Sequence, residues 1–482
     1  MQENLEIMNQ EVILYLWQTK ISTIKNCLGR IFLILPFFYL SFSAYSQTAS
    51  QGVVISDFEY QKIDKRYFSV RGGTRTLPKS YSLKEFAPKP LNQLDYPTSA
   101  AWATSYGALT IIEAQQTKRT GKEITEKSFS PLFPYFYSLG ETQKFNSSQQ
   151  VSIAQILKAM KNYGTPRFTE FPVRSVTHSP EKKKVAASQN KISEFARLYD
   201  SNDSNTKKLE AIKTTLSENL PVVIAMHYGK SFEYAKGFWQ PRESFSIDLP
   251  TKALCIVGYD DDKYGGAFEV MNSQGTEWGN DGFLWIPYED FIEFTRQAYS
   301  LYMIPSKNSI TQLSGGIELE IVAGGNMELT QLRGGYYKIK KSYPSGTQFR
   351  IKVINHSTGF LYVFASDLTG EIFPLFPPDL TSAAFSKDAS FYVPNENTPI
   401  EIDETIGTDY LCVIFSKEDL DISYLYEQIK SANGHFETKI INTLSDKLVP
   451  QDLVEFKSST ADFSVIKSDK SIVTLIIEHE HN

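Results

Sequence analysis

Two neighbouring stretches, KALCIVGYDDD (residues 252–262) and VMNSQGTEWGNDGFLWI (residues 270–286), decide the fold. The unbroken apolar run Ala253–Tyr259 predicts a buried strand, and shorter strands are predicted within AFEVMNS and GFLWIPY. Glycines on both sides of Trp278 supply the conformational freedom that tight turns between strands require. This region therefore predicts a set of short, buried strands joined by tight turns.

Helical periodicity lies mostly upstream of these strands. Because helices come first and strands later, the pattern predicts an α+β domain with an antiparallel sheet. The supporting residues are Ile153, Ile156, Leu157 and Met160 on one helical face ended by Gly164, the helical spacing of Trp102, Tyr106, Leu109 and Ile112, and the buried strand Val222–Met226 that follows a helical segment at 206–220.

The whole chain has 482 residues and a formal net charge of −6. This length accommodates two or three domains with real cores, and 41% hydrophobic residues are typical of a globular protein. A nucleic-acid-binding protein would carry a basic face, and the one marked basic cluster, residues 181–184, is interpreted as a solvated loop. The composition therefore predicts no nucleic-acid partner.

The N-terminus is typical of a secretory signal peptide. Lys20, Lys25 and Arg30 precede an apolar run, IFLILPFFYLSF (residues 31–42), and small residues follow, with cleavage expected after Ser46. The run is shorter than the roughly 20 residues that span a bilayer. We expect no transmembrane span after cleavage of residues 1–46 and a periplasmic, outer-membrane-associated or extracellular location. A retained membrane anchor is the alternative.

The remaining chain divides by composition into four parts. Residues 47–76 are polar and predict an N-terminal extension, and residues 77–305 form the α+β domain. Residues 306–340 predict a β-rich linker. Residues 341–482 predict a β-rich C-terminal domain with one helix near Ile422–Ala432.

Residues 77–305 resemble a papain-family (C1-type) cysteine peptidase domain. The resemblance rests on LPKSYSLKEF (77–86), PLNQ (90–93), AAWATSYGALTIIEA (100–114), FSPLFPYFYSL (129–139) and the two stretches quoted first. It implies the papain-like fold of two subdomains, one helical and one an antiparallel β subdomain.

In that family a Cys thiolate at a helix N-terminus attacks the peptide carbonyl, a His exchanges the proton, an Asn orients the His and a Gln stabilises the oxyanion. The resemblance places these roles on Ala101, Lys252, Asn272 and Gln93, in that order. Alanine has no nucleophile, and an ordinary lysine is charged at neutral pH. The resemblance with these replacements predicts a pseudoenzyme with no intact catalytic set, no cofactor and no metal site.

A rescue by Ser99 or Ser105 with Lys252 as base would need a lysine pKa lowered by several units. We expect instead a polar loop serine and a lysine at the surface or in the cleft. Cys255 is expected to be a core thiol, and with Cys412 it makes no disulfide framework, although one bridge is possible after export.

The C-terminal region resembles a bacterial domain of unknown function found in envelope and signalling proteins. The matching motifs lie at Gly359–Tyr362, Gly370–Pro377 and Gly407–Ser416. The resemblance implies a small β sandwich that mediates interactions and carries no catalytic set.

These observations favour an exported, non-catalytic papain-like protein that binds a peptide or protein partner through its cleft and its β-rich C-terminal domain. One alternative is an active hydrolase with a Ser/Lys pair. The other is a structural envelope-assembly protein, which a cleft filled by residues 47–76 or by the C-terminal domain would favour. No oligomeric state is predicted.

Overall fold

The structure is a computed structural model that describes residues 52–68, 77–140, 149–173, 179–304, 313–395, 397–458 and 460–481. The predicted signal peptide and its cleavage site lie outside these ranges. Within them, no helix combines the length and apolarity needed to cross a membrane. We name residues 52–68 the N-terminal segment, residues 77–304 the body and residues 313–481 the module.

The helices begin where the sequence supplies caps. Ser152 accepts from the backbone N–H of Gln155, whose side chain bonds back to Ser152, and Gly164 ends the same helix with a φ of 76°. Helix α2 has three consecutive parts, of which the second is π-helical. The helices are α1 (Asp57–Gln61), α2 (Ser99–Ala101, Trp102–Leu109 and Thr110–Thr117), α3 (Lys122–Glu126), α4 (Leu132–Ser138), α5 (Ile153–Tyr163), α6 (Lys184–Ser188), α7 (Asn205–Ser217), α8 (Lys230–Glu233), α9 (Tyr288–Phe294), α10 (Ile422–Ser431) and α11 (Phe436–Leu444).

The strands of the body form one antiparallel sheet in the order β2-β7-β3-β4-β5-β6, with β1 paired to β4. Its central strands are buried along their whole length, which explains their continuous apolar runs. The α+β fold class predicted for this part is confirmed. The strands are β1 (Ser80–Ser82), β2 (Glu194–Arg197), β3 (Val222–His227), β4 (Thr251–Asp260), β5 (Ala267–Met271), β6 (Phe283–Pro287) and β7 (Thr295–Tyr302).

The module is a sandwich of two sheets, in the orders β13-β12-β17-β20-β10-β9 and β15-β11-β8-β19-β18. Leu361 and Val363 of β12 face the sandwich interior, whereas Phe360, Tyr362 and Phe364 join the apolar core that extends into the body. The strands are β8 (Ser314–Ile321), β9 (Leu329–Arg333), β10 (Tyr336–Ile339), β11 (Gln348–Asn355), β12 (Gly359–Ser366), β13 (Ile372–Phe376), β14 (Ala384–Phe385), β15 (Ser390–Val393), β16 (Ile400–Glu401), β17 (Gly407–Ser416), β18 (Val454–Phe456), β19 (Ala461–Val465) and β20 (Ile472–His481).

The structure differs from the sequence prediction in two parts of the module. Residues 306–340 were expected to form a linker, but β8 lies inside one sheet between β11 and β19, and β9 and β10 extend the other. Alternating apolar residues such as Ile317 and Leu319 bury one face of β8, which a linker would leave exposed. Helix α10 occurs where one helix was predicted, and α11 is an additional one.

The N-terminal segment packs against both the body and the module. The carbonyl of Arg197 accepts from the N–H of Arg66 at 2.8 Å, while Lys65 exchanges backbone hydrogen bonds with Leu380 (2.8 Å) and Ser382 (2.9 Å) of the module. Tyr60 is fully buried and donates to the Ala298 carbonyl at 3.0 Å. The described part of the predicted extension is therefore an integral element that joins body and module.

Candidate functional site

The first turn of α2 holds the position predicted for the nucleophile. Ala101 is fully buried there, and the side chain of the N-cap residue Thr98 makes no capping hydrogen bond. Ser99 Oγ accepts from the backbone N–H of Ala253 at 3.3 Å, which ties the start of α2 to β4. Further along, Gly107 allows close packing, because a Cβ there would lie 3.1 Å from Cys255 Cβ. The helix and the sheet thus meet where the sequence placed the site.

Gln93 and Asn272 are brought together through Ser273. The Gln93 amide donates to the Tyr96 carbonyl at 2.6 Å, and its side-chain oxygen accepts from Ser273 Oγ. Asn272 Nδ2 donates to Gln274 Oε1 at 2.7 Å, and Asn272 Oδ1 accepts from the Ser273 N–H at 2.8 Å. Both amides are engaged in local structural hydrogen bonds.

Lys252 lies in β4 opposite Met226 of β3 and is only 1% exposed. Its Nζ has no hydrogen-bond partner within the described part of the chain. Burial lowers the pKa of Lys252 to about 7, and the negative charge of Glu233 acts weakly in the opposite direction. The expectation of a solvent-exposed lysine, at the surface or in an open cleft, is therefore wrong, because the side chain is enclosed and largely neutral above neutral pH.

This burial meets one requirement of the Ser/Lys alternative and leaves the other unmet. A lysine base needs a lowered pKa and a hydrogen bond to its serine, and no such bond to Lys252 is present among the described residues. Ser99 is itself fully buried, so the expected polar loop serine is also wrong. Ser105 Oγ donates to the Ala101 carbonyl at 2.7 Å and serves the helix backbone.

Residues 52–56, which we name the strap, cross the boundary between the helical and sheet halves of the body. On the sheet side, Thr251 Oγ1 accepts from Val53 N–H at 3.0 Å and lies 2.7 Å from Val53 O. On the helical side, Val54 N–H donates to the Val151 carbonyl at 3.1 Å. Gln297 Nε2 donates to the Ser56 carbonyl at 2.9 Å. Because Thr251 directly precedes Lys252, the strap covers this edge of the site.

One small cavity lies beside α2, between this helix and the sheet. This cavity of about 10 Å³ is lined by Trp102, Tyr106, Cys255 and Asn272, among others, and such a volume is close to that of one water molecule. Trp102 Nε1 is buried without a protein partner in the described chain. Burial raises the pKa of the Cys255 thiol far above its usual range, which makes it an unreactive core thiol.

A second, larger cavity of about 740 Å³ lies away from Ala101, where α7 faces the module. Its wall combines aromatic side chains with charged ones, among them Tyr67, Phe391, Lys207 and Glu218. Sequence reasoning missed this space, because its walls come from parts of the chain about 320 residues apart, as the separation of Tyr67 and Tyr392 illustrates. Among the described residues, no cluster of His, Cys, Asp and Glu could hold a metal ion.

Comparisons with known proteins match two separate ranges of the chain. Residues 143–301 match the model of the papain family cysteine proteases, and residues 342–419 match a domain of unknown function, DUF4384. The first range includes Lys252 and Asn272 and begins after Gln93 and Ala101.

Among curated proteins, the uncharacterized peptidase C1-like protein L477 of Acanthamoeba polyphaga mimivirus is 28% identical over 187 residues. The match covers 35% of this chain and 57% of that protein, so the chain spans little more than half of its length. Among solved structures, xylellain, a cysteine protease from Xylella fastidiosa, is 20% identical, with a TM-score of 0.42 over 53% of this chain and 97% of that one. Procathepsin L 3 from the larval midgut of Tenebrio molitor is 15% identical, with a TM-score of 0.41 over 52% and 80% of the two chains.

Proposed function

This chain carries a papain-family C1 peptidase domain followed by a DUF4384 domain, and we propose that it is an exported, non-catalytic protein with a structural, partner-binding role. In this proposal Ala101 and Lys252 stand where the family has its nucleophile and its base. The strap holds the cleft closed, and partners outside the cytoplasm bind the outer surfaces of the body and the module.

The observation that carries this proposal is the strap itself. Its backbone bonds to Val151 on one side and to the Thr251 hydroxyl on the other, at 3.1 and 3.0 Å. A cleft filled in this way favours a structural role over capture of an external peptide. The burial of Ala101 and the local hydrogen bonds of Gln93 and Asn272 support a non-catalytic role, because none of these groups is free to act on a substrate.

Hydrolysis assays test the absence of catalysis. Casein and fluorogenic peptides are incubated with the full chain and with its Ser99→Ala, Lys252→Ala and Val54→Pro variants. Val54→Pro removes the N–H that donates to Val151 and so opens the strap. We expect no hydrolysis above buffer from any of the four proteins. Hydrolysis by the parent or by Val54→Pro would contradict this expectation. If adding Lys252→Ala or Ser99→Ala to the hydrolysing chain abolished it, the Ser/Lys hydrolase would be established instead.

Peptide binding inside the cleft is a second candidate function, favoured by one observation. The cleft binds the strap through backbone groups, so it retains the capacity to hold an extended peptide. A fluorescent peptide with the sequence of residues 51–58 is titrated into the parent and into Val54→Pro. Binding by the variant at least tenfold tighter than by the parent would favour a displaceable strap; absence of binding by both would favour the structural role.

Cross-linking in an envelope fraction tests where partners bind. The parent and Val54→Pro should capture the same proteins if the partners contact outer surfaces. Partners that the parent captures and Val54→Pro loses would likewise be inconsistent with binding in the cleft, because opening the strap should increase binding there.

A further inference from the structure

Lys161, in the last turn of α5, links the body to the module. Its Nζ lies 2.6 Å from Glu194 Oε2, at the start of β2, and 3.0 Å from Asp419 Oδ2, which follows β17 of the module. Glu194 is 15% and Asp419 42% exposed at the side chain. One half-buried ammonium therefore serves two carboxylates that belong to different parts of the protein.

A third carboxylate makes this junction acidic. Asp64, in the N-terminal segment, interacts electrostatically with Asp419 and Lys161. The nearby guanidinium of Arg197 is already engaged, because it pairs with Asp200 and donates to the Ile63 carbonyl. We name Asp64, Lys161, Glu194 and Asp419 the junction cluster. With every member ionised, it carries three negative charges against one positive charge.

Arg197 of β2 offsets part of this excess, because its positive charge lowers the pKa of Asp64. Tyr362 of β12 donates to Asp419 Oδ1 at 3.2 Å and accepts from the Leu420 N–H at 2.6 Å. Tyr302 of β7 lies opposite Glu194 in the sheet. The titratable groups that interact with Glu194 are thus Lys161 from α5, Asp419 after β17, Tyr362 from β12 and Tyr302 from β7. Asp64 acts on Asp419 and Lys161, and Arg197 of β2 acts on Asp64.

Burial raises the pKa of Glu194 to about 7, opposed by Lys161 and reinforced by Asp419. Burial and Asp419 also raise the pKa of Asp64. Burial alone would lower the pKa of Lys161, but Glu194 and Asp419 raise it, so the ammonium stays charged. The cluster can therefore relieve its excess negative charge by taking up a proton on a carboxylate.

We propose that docking of the module onto the body and the N-terminal segment is coupled to the uptake of a proton by the junction cluster. Docking is then strongest in mildly acidic solution and weakens as the pH rises past neutrality. When the module opens away, Glu194 gains water and loses the neighbouring Asp419, so its pKa falls toward the ordinary value near 4.3. The docked state binds more protons than the open state between these limits, and lower pH favours it.

Hydrogen exchange of the full chain measures this coupling at amides that cross the junction. The N–H of Lys65 bonds to the Leu380 carbonyl, and the N–H of Ser382 bonds to the Lys65 carbonyl. Their protection, corrected for intrinsic exchange, is compared at about pH 5.5 and about pH 8, and we expect a decrease of roughly tenfold at the higher pH. The buried strand β3 serves as an internal reference for global unfolding.

Glu194→Gln tests whether Glu194 is the carboxylate that takes up the proton, because a neutral amide cannot titrate. This variant should keep its junction protection within about twofold between the two pH values. The matched control is Glu269→Gln, a buried carboxylate paired with Lys84 in the body sheet, which should retain the tenfold change. Asp419→Asn, at the more exposed position, should show a smaller pH response than the parent. A parent without pH response, or a full response in Glu194→Gln, would overturn the proposal.

Discussion

Two buried cationic side chains mark two differently built regions of this protein. Lys252, in the cleft, is 1% exposed and its Nζ has no partner among the described residues. Arg66, where the N-terminal segment meets the module, is 4% exposed at its side chain, pairs with Glu218 and bonds Ser386 Oγ at 3.2 Å. An unpaired buried charge is strongly unfavourable, so Lys252 is driven toward its neutral form, whereas Arg66 has a carboxylate partner in Glu218.

The two regions also differ in how far their buried polar atoms are hydrogen-bonded. In the cleft, Thr98 Oγ1 and Trp102 Nε1 are also buried without partners in the described chain. Where the N-terminal segment meets the module, Arg66 Nη1 is likewise buried without a partner in the described chain, but Arg66 Nη2 forms a connected network with Glu218 and Ser386 across three parts of the sequence. A catalytic site normally holds its charged groups in defined hydrogen bonds. In this protein, charged groups with defined hydrogen bonds lie instead where the N-terminal segment, the body and the module meet.

The largest expected effect comes from breaking the Arg66 pair. Arg66→Ala removes the cationic partner of the largely buried Glu218 carboxyl group, and we expect a loss of about 3–5 kcal/mol in the free energy of unfolding. Urea denaturation at neutral pH measures it. A loss below about 1 kcal/mol would show that the junction network contributes no more than a surface pair and would remove the contrast with the cleft.

Replacing Lys252 should raise the free energy of unfolding, whereas replacing Arg66 lowers it. Lys252→Met removes a buried polar group without a partner, and we expect about 1–3 kcal/mol of added stability near pH 7. The pKa of Lys252 is about 7 in the folded protein and 10.5 in its ordinary state, so the unfolded chain binds more protons between these values.

The stability of the parent should therefore rise with pH from about 7 to about 10, and the advantage of Lys252→Met should shrink over the same range. Denaturation at several pH values measures both curves. Parallel curves for parent and variant would mean that Lys252 does not titrate as its burial implies.

A smaller effect is expected at the strap. Thr251→Val removes the hydroxyl that bonds both the N–H and the carbonyl of Val53, and we expect a loss of about 1 kcal/mol. Hydrogen exchange in residues 52–56 should rise severalfold. Thr251→Ser keeps the hydroxyl and should behave like the parent; equal effects of the two substitutions would point to packing rather than hydrogen bonding.

The smallest effect is expected on the surface of the module. Lys340 pairs with Glu328 at 3.2 Å, with 59% and 51% of the two side chains exposed. Lys340→Ala should change the free energy of unfolding by less than about 1 kcal/mol. Urea denaturation of Lys340→Ala and Arg66→Ala under the same conditions measures both losses of stability. A loss from Lys340→Ala as large as that from Arg66→Ala would contradict the difference between surface and buried pairs.

The sequence predicted the elements whose signal is local. Continuous apolar runs predicted β3 and β4, and the periodic face with its closing glycine predicted α5, because burial and capping leave direct traces in residue type. The stretches around Gln93, Ala101, Lys252 and Asn272 also lie close together along α2, β4 and the turn after β5, as the hydrogen bonds through Ser99 and Ser273 show.

Features that depend on distant contacts were not predictable in the same way. The burial of Lys252 contradicts the usual exposure of lysine, because the strands around it enclose it. The sequence predicts an extension for the strap and a linker for β8, although both contain apolar residues, because the partners of these residues lie far along the chain. Tertiary packing, rather than local pattern, decides such segments.

Lys65 forms two isolated β-bridges, and these have a consequence for the order of folding. Lys65 is paired with Arg197 and with Thr381, so the N-terminal segment finds partners more than 130 and more than 310 residues later in the chain. During synthesis this segment emerges long before the module exists, and contacts of such sequence separation form slowly. The earliest described residues to leave the ribosome are therefore among the last to reach their native neighbours, and a truncated chain that stops before Thr381 cannot complete the contacts of the N-terminal segment.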